Sequence, residues 1–531
     1  MKLRIRPLRG LLALALPLLM SSCNAFLSEN PDSDLVDPTS PAQIQKMLIG
    51  VYSTSSINFL TELSSDNILD DGTSNPNTST FAEDAAYWKA IHNADDYYDA
   101  PYKLWEKSYY AIALANEVIQ KVNSLGLKDN VAMVSKGEAL VARAWTHFQL
   151  ANTFCLPYDP QTSSKDLGIP YVAERVVNLQ PDYPRGTLAE TYRHIASDLK
   201  EGIALLERYP SNYSEDIKKF HFNPTSAYAF AARFYLYYQD WAKAEEYATK
   251  VLGNNPSLVL RDWSIFTKIP RTEKAYALAY YDTKLAANLL SVSTYSSYQW
   301  QTTSGTSYYQ SRFTQAKELT QNETLFAQNI WGQSDAYYFA PFIYVEGNIN
   351  KTVQAKLPSF PSSDYQTMDT PLTTDETLLV RAEARIHQKK YDEGVADLNL
   401  WTSRYLNDGD NAQKPRKKTF TKDEIIAFYK ALSYDSKVRP TMKKKLNPHF
   451  TITAGDEEFL LHHVLQCRRI LTLHEGLRWQ DIKRYGITIY RRINKNSNYS
   501  VAAELGDRDP RQAIPLPQQA IKGSIVQNPT K

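Results

Sequence analysis

The stretch Ala232-Arg-Phe-Tyr-Leu-Tyr-Tyr-Gln-Asp-Trp241-Ala-Lys-Ala244 decides how this 531-residue chain is read, because Ala382-Glu-Ala-Arg-Ile-His-Gln-Lys-Lys-Tyr391-Asp-Glu-Gly394 repeats its plan. In each, a small residue is followed nine positions later by an aromatic one and three further on by a second small residue. A small residue on the first helix lets a second helix approach closely, while the aromatic at the turn fills the wedge between them. Both stretches therefore read as helical hairpins of one design.

That spacing is the one found in tetratricopeptide (TPR) hairpins. A regular array of such units would repeat about every 34 residues, whereas Trp241 and Tyr391 lie 150 residues apart (391 minus 241). Long insertions must interrupt the array, and insertions on a rigid scaffold are where binding sites are built. Outward from the two hairpins, segments 188–207, 224–252, 375–404 and 456–485 carry helical periodicity. Trp105, Tyr109, Ile112, Asn116 and Ile119 share a helix face, with 134–153 as its partner. Residues 102–154 and 456–485 supply two further, less well patterned hairpins. Ile44, Met47, Leu48 and Val51 form the stripe of another amphipathic helix. Strand-like alternation is scarce. The fold class is mainly α: about four TPR-like hairpins form a scaffold into which a large, irregular, loop-rich lobe is inserted.

Composition divides the chain further. Residues 1–22 read as a leader, 23–253 as an N-terminal lobe with TPR-like hairpins, 254–372 as a loop-rich aromatic insertion and 373–531 as the C-terminal hairpins. The insertion concentrates Tyr295, Tyr298, Trp300, Tyr308 and Tyr309, then Trp331, Tyr337, Tyr338 and Phe339. A second aromatic patch, with acids beside it, holds Tyr87, Trp88, Asp95, Asp96, Tyr97, Tyr98 and Asp99.

The leader begins with Lys2, Arg4, Arg6 and Arg9, continues through an apolar run from Leu11 to Met20, and ends in Ser21-Ser22-Cys23. A cationic start, a short apolar core and small residues before the cut mark a secretory signal peptide. A cysteine at the first mature position is a site for acylation, so Cys23 is the expected lipidation residue, and two or three acyl chains hold a protein on a membrane far better than one. Removing the leader's four basic residues takes the formal charge from +2 to −2 (2 minus 4). Neither value suits a nucleic-acid partner, which calls for a strong basic excess. Cys155 and Cys467 are expected as isolated buried thiols rather than a disulfide.

No Gly-x-Ser-x-Gly elbow and no phosphate-binding glycine loop is present. His462, His463, Cys467 and His474 offer imidazole and thiolate, the ligands zinc favours, but the residue three after Glu475 is Arg478, where a zinc-protease helix would have its second histidine. Glu475 and Asp481 are an acid and base pair only on paper. Their helical spacing fits charge pairing with Arg478 on a helix surface better. No catalytic residue, metal or cofactor is therefore assigned.

Three motifs resemble those of the SusD/RagB family. Cys23 is followed by Phe26-Leu27 and Pro31, like the family's opening. Arg468-Arg469-Ile470, Glu475-Gly476 and Arg478-Trp479-Gln480-Asp481-Ile482-Lys483-Arg484-Tyr485-Gly486 are similar to its late helix. Ile514-Pro-Leu-Pro517 with Gln527-Asn528-Pro529 is similar to its terminal signature. Leu471 and His474 depart from it, standing where the family usually has Glu and Phe. In order, these motifs span the mature chain. The resemblance implies a non-enzymatic, surface-exposed lipoprotein of the outer membrane that partners a SusC-like TonB-dependent porin and captures oligosaccharide, or in some members peptide, for uptake. An exported glycoside hydrolase is the competing reading, since two carboxylates are all that such chemistry requires.

For a sugar ligand, aromatic faces pack on the C–H face of a pyranose while polar groups pair its hydroxyls. On that ground Trp88, Tyr97, Tyr98, Tyr298, Trp300, Trp331 and Tyr337 are the expected stacking residues, with Asp66 and Asn67 as polar contacts.

Overall fold

The computed structural model describes residues 38–72, 80–91, 97–174, 183–298, 312–315, 317–333, 336–339, 343–346, 349–352, 359–360, 363–409, 415–495, 498–521 and 525–529. Among them the helices are α1 (Pro41–Lys46), α2 (Asn58–Ser64), α3 (Thr80–Ala86), α4 (Pro101–Ser124), α5 (Asn130–Phe154), α6 (Leu188–Arg208), α7 (Pro224–Tyr237), α8 (Trp241–Leu252), α9 (Glu273–Tyr280), α10 (Lys317–Asn322), α11 (Thr374–His387), α12 (Tyr391–Tyr405), α13 (Lys422–Ala431), α14 (Asp456–Leu471) and α15 (Leu477–Arg484). The stripe at residues 44–51 is helical, as its spacing predicts, although α1 tightens into a 3-10 turn over Met47–Val51.

The repeated spacing forms the two hairpins α7–α8 and α11–α12, and their turns are built alike. Gln239 and Lys389 adopt positive φ values of 64°. In one turn Asp240 N donates to Tyr235 O, and in the other Lys390 N donates to Arg385 O, both at 2.9 Å. These are the six-to-one bonds that close a helix when the residue after its C-cap turns left-handed. Ala232, Ala244 and Ala382 are fully buried. A Cβ on Gly394 would sit 2.8 Å from Ile386 Cγ1 and 3.2 Å from the Ala382 carbonyl, so glycine sets how closely α12 lies on α11. Trp241 reaches across to stack on His387 at 4.1 Å, joining the first hairpin to the second.

Upstream, α4 and α5 pair, and α6 crosses α5 where two glycines meet. A Cβ on Gly202 would fall 2.9 Å from the Gly137 carbonyl oxygen. The aromatic and aliphatic faces of α4 to α8 make one apolar core. A second gathers Trp263, Trp331, Tyr337, Trp401 and Trp479 with α11 to α15. Mainly helical architecture with TPR-like hairpins is thus what the chain adopts.

The strands are β1 (Leu69–Asp70), β2 (Asn288–Tyr295), β3 (Phe313–Thr314), β4 (Ile343–Glu346), β5 (Ile349–Thr352), β6 (Ser359–Phe360), β7 (Ser363–Thr373), β8 (Ile489–Lys495) and β9 (Asn498–Leu505). They form sheets in the orders β3-β1-β8-β9, β2-β7-β6 and β4-β5. Stretch 254–372 is therefore more regular than its composition predicts. The first four residues of β2 are buried on both faces, which removes the alternation that would reveal a strand. β2 runs antiparallel to β7 from Asn288 opposite Thr373 to Tyr295 opposite Gln366. β7 leads directly into α11, which Thr373 caps by accepting from Glu376 N.

Candidate functional site

The site is built where the end of β2 meets the turn before α4. Asp99, buried in that turn, accepts from Ser296 Oγ at 2.6 Å and from Ser297 N and Oγ at 2.7 Å. Burial outweighs these bonds and lifts its carboxyl to about 6. A third segment joins, because Tyr295 N donates to Thr54 O at 2.8 Å and Ser55 Oγ donates to Tyr98 O at 3.0 Å. The clamp leaves Tyr98 and Tyr295 side by side at the surface. Their rings stack 5.5 Å apart at 27° and are 41% and 38% exposed.

Beside this pair opens a pocket of mixed character, in which Tyr52, Ser55, Ser108, Gln149, Thr294 and Asp369 stand among Ile57, Leu104, Trp145, Val292 and Pro371. Its volume is about 40 Å³, room for a few waters but not for a sugar ring. The hollow continues past Asp369 to Asn58, Arg233 and Glu475. Burial, reinforced by the Glu475 charge, raises the Asp369 carboxyl to about 7, against a 3.2 Å hydrogen bond from Asn58 Nδ2. Tyr52 is fixed by donating to Glu138 Oε1 at 2.7 Å and accepting from Phe222 N at 2.7 Å.

Of the residues singled out from sequence, Tyr98 lies on this rim. Tyr97 is half-buried and stacks on Phe81 at 5.6 Å. The rings of Tyr298, Trp88, Trp331 and Tyr337 are buried. Tyr298 stacks on Phe59 at 4.8 Å. Trp88 Nε1 donates to Ser64 O at 2.8 Å beneath the Arg491 guanidinium. Trp331 Nε1 donates to the Tyr337 hydroxyl at 3.2 Å inside the C-terminal core. In these four, protein atoms already cover the faces that a sugar would need. Trp300 and Cys23 lie outside the described residues. Tyr295, absent from the expected set, completes the rim; the aromatic cluster around it was visible, but picking it out requires knowing that β2 surfaces at its last residue.

Asp66 and Asn67 have a different role from the one expected. Arg478 donates to the two Asp66 oxygens at 2.7 and 2.9 Å, and Arg469 donates to Asn67 Oδ1 at 2.8 Å and Asp66 O at 2.9 Å. All four residues are buried. Guanidinium groups buried by α14 and α15 require buried acceptors, and this segment supplies them. Nor do Arg478 and Asp481 pair on a helix surface: Asp481 is bonded to Arg468 at 3.1 Å and Arg484 at 2.9 Å in the interior. Arg491 adds bonds to the carbonyls of Leu63, Ser65 and Ala86, each within 2.9 Å. Gly476, at φ 71°, lies so close to α2 that a Cβ would meet Thr61 Oγ1 at 2.2 Å. At the end of the chain, Asn528 Nδ2 donates to Phe154 O and Ile514 O at 2.8 Å, and Gln527 bonds both backbone groups of Leu516. The late motifs thus hold sequence-distant segments together rather than meeting a ligand.

His463 is pushed down to about 3 by burial and faces Tyr429 at 3.3 Å. Among the described residues no three His, Cys, Asp or Glu side chains are placed to hold a metal ion. Cys155 and Cys467 are buried and unbridged.

Residues 25–236 match the family model SusD-like_3, described as starch-binding and associating with the outer membrane. A search of curated proteins gave no match. Among solved structures, a protein from Bacteroides vulgatus described as a putative sugar binding protein is 19% identical, with a TM-score of 0.65 over 93% of this chain and 99% of its own. A SusD superfamily protein from Bacteroides thetaiotaomicron is 17% identical, with a TM-score of 0.62 over 92% of this chain and 100% of its own. A laminarin-binding SusD-like protein is 15% identical, with a TM-score of 0.52 over 93% and 99%. At such identities these neighbours speak for the fold, which they share along nearly the whole chain, while the model match speaks for its first part. The first part of the chain is thus similar to a SusD-like family model, and its fold is the one that SusD superfamily proteins adopt.

Proposed function

We propose that the chain is a lipid-anchored, cell-surface protein that binds oligosaccharide across the Tyr98–Tyr295 rim and delivers it to a SusC-like TonB-dependent outer-membrane transporter without cleaving it. The observation that carries the binding half is the exposed, stacked tyrosine pair beside a pocket where hydroxyl, amide and carboxyl groups stand among apolar side chains. Flat rings with polar groups alongside satisfy both faces of a pyranose. The starch-binding description of the family and the laminarin-binding neighbour support a glycan over other cargo. No helix among the described residues is long and apolar enough to cross a membrane; the acylated Cys23 is the proposed anchor.

Calorimetric titration of the full chain with maltoheptaose and laminarihexaose, beside a peptide panel and with product analysis of every mixture, tests the binding half. Saturable binding of a glycan without cleavage is expected, weakened roughly tenfold by Tyr98→Ala or Tyr295→Ala. Binding of peptides alone would replace the cargo, and cleaved products would show an exported hydrolase. Delivery is tested by purification from solubilised outer membranes: a TonB-dependent porin should accompany the chain, and Cys23→Ser should release it from the membrane fraction. A chain recovered alone removes the transport half.

A further inference from the structure

A larger cleft lies elsewhere on the molecule. It occupies about 640 Å³ between the loop joining α13 to α14 and the start of β8, within the range typical of small-molecule sites. Tyr434, Phe450 and Tyr490 bring rings to its walls, and Leu446, Pro448 and Ile452 add apolar surface. It shares no lining residue with the pocket beside Tyr98 and Tyr295.

The polar groups of this cleft divide into committed and free. Asp435 is held by Lys444 at 3.1 Å and Arg492 at 3.4 Å. Glu458 accepts from the Tyr434 hydroxyl and faces His462 at 3.7 Å. Phe450 is fixed edge-on against Trp241, His387 and Tyr485 at 5.1 to 5.4 Å. By contrast, among the described residues, the Lys445 ammonium, the Thr488 hydroxyl and the Tyr490 hydroxyl have no hydrogen-bond or ion-pair partner. Lys443, whose ammonium lies 4.1 Å from the centre of the Tyr434 ring, pairs with no carboxylate within ion-pair distance either and donates to Leu432 O. The cleft therefore offers aromatic faces, two free hydroxyls and the exposed Lys445 ammonium; Asp435 is matched by its two cations, and the Glu458 carboxylate is offset by the nearby Lys443.

We propose that this cleft is a second saccharide site, taking a sugar unit that carries a carboxylate. The ring of such a unit packs on the aromatic and apolar wall, its hydroxyls pair with Thr488 and Tyr490, and its carboxylate is bound by Lys445. A charge-assisted bond of this kind is stronger than a neutral one and gives selectivity over uncharged sugars.

The test is titration of the full chain with trigalacturonate and, in parallel, maltotriose and an acidic tripeptide. Trigalacturonate should bind saturably, more weakly as salt is raised, and roughly tenfold more weakly to Lys445→Ala. Thr488→Val, which leaves the charge in place, should also weaken it, while the Tyr98→Ala/Tyr295→Ala double variant should bind as the parent does. The absence of saturable trigalacturonate binding overturns the proposal, as does binding that Lys445→Ala leaves intact or that the double tyrosine variant abolishes. In the double tyrosine variant, where the rim is removed, equal binding of maltotriose or preference for the tripeptide overturns it as well. Because the rim is probed by other residues and neutral glycans, failure at either place leaves the other standing.

Discussion

At Glu62 the cost of a buried carboxylate is visible in one side chain. Its Oε1 accepts from Asn67 Nδ2 at 3.0 Å and His474 N at 3.2 Å, while Oε2 has no hydrogen-bond partner among the described residues. Burial raises this group from 4.5 to about 7. The folded state therefore holds a proton, between those two pH values, that the unfolded chain has released. Stability falls as pH rises through that window and is level above it. Glu62→Gln should match the parent at pH 5 and exceed it at pH 8 by on the order of 2 kcal/mol. Denaturant midpoints of both proteins at the two pH values check this, and an equal gap at both would contradict it. Asp369 titrates in the same window but is common to parent and variant. Single residues are also where sequence reading runs out. Tyr98 and Tyr298 are both tyrosines in aromatic-rich stretches, and only the packing shows that Phe59 covers one while the other faces solvent.

Elements were easier to read. Ala232, Trp241 and Ala244, and Ala382, Tyr391 and Gly394, announce their hairpins because close helix packing demands small residues at fixed offsets. The same geometry makes Gly394→Ala costly. The added methyl meets Ile386 and the Ala382 carbonyl, and overpacking of this kind costs about 1–3 kcal/mol. Gly506→Ala, with nothing within 4 Å of the new atom, is the control and should stay within about 0.5 kcal/mol of the parent. Urea midpoints for the two variants decide it: equal values would mean that the hairpin tolerates a wider gap. What could not be read were the strands. β2 is buried on both faces where it starts, and β9, although it pairs locally with β8 from Lys495 opposite Asn498, alternates only between half-buried and exposed positions until Leu505.

Over the whole molecule, the two apolar cores are tied by buried polar bonds rather than stacked independently. Arg233 of the first hairpin bonds Glu376 of α11 at 3.3 Å, and Arg468 of α14 reaches the same carboxylate at 3.2 Å. Cys155 lies in one core and Cys467 in the other. Burial raises both thiols above their usual range, so in a Cys23→Ser chain neither should react with a thiol reagent under native conditions. Both should become reactive over the same range of denaturant. Labelling of Cys155 well before Cys467 would show that the halves open separately. The family motifs were legible from sequence as an ordered set. Their meaning was not, because Asp66 and Arg478 are partners only once the chain has returned on itself.

That return has a temporal side. Asp66 and Arg478 are 412 residues apart, and Leu63 and Arg491 are 428. A ribosome adding 5–20 residues per second would leave the acidic anchor waiting roughly 20 to 80 seconds for its guanidinium. During that interval the early segment has no route to its final burial, and contacts of such separation close slowly even once both partners exist. For the export proposed above, such a delay is an advantage to a chain that must cross a translocation channel unfolded. The early segment would stay pliable until the last stretch has emerged, and lock after that.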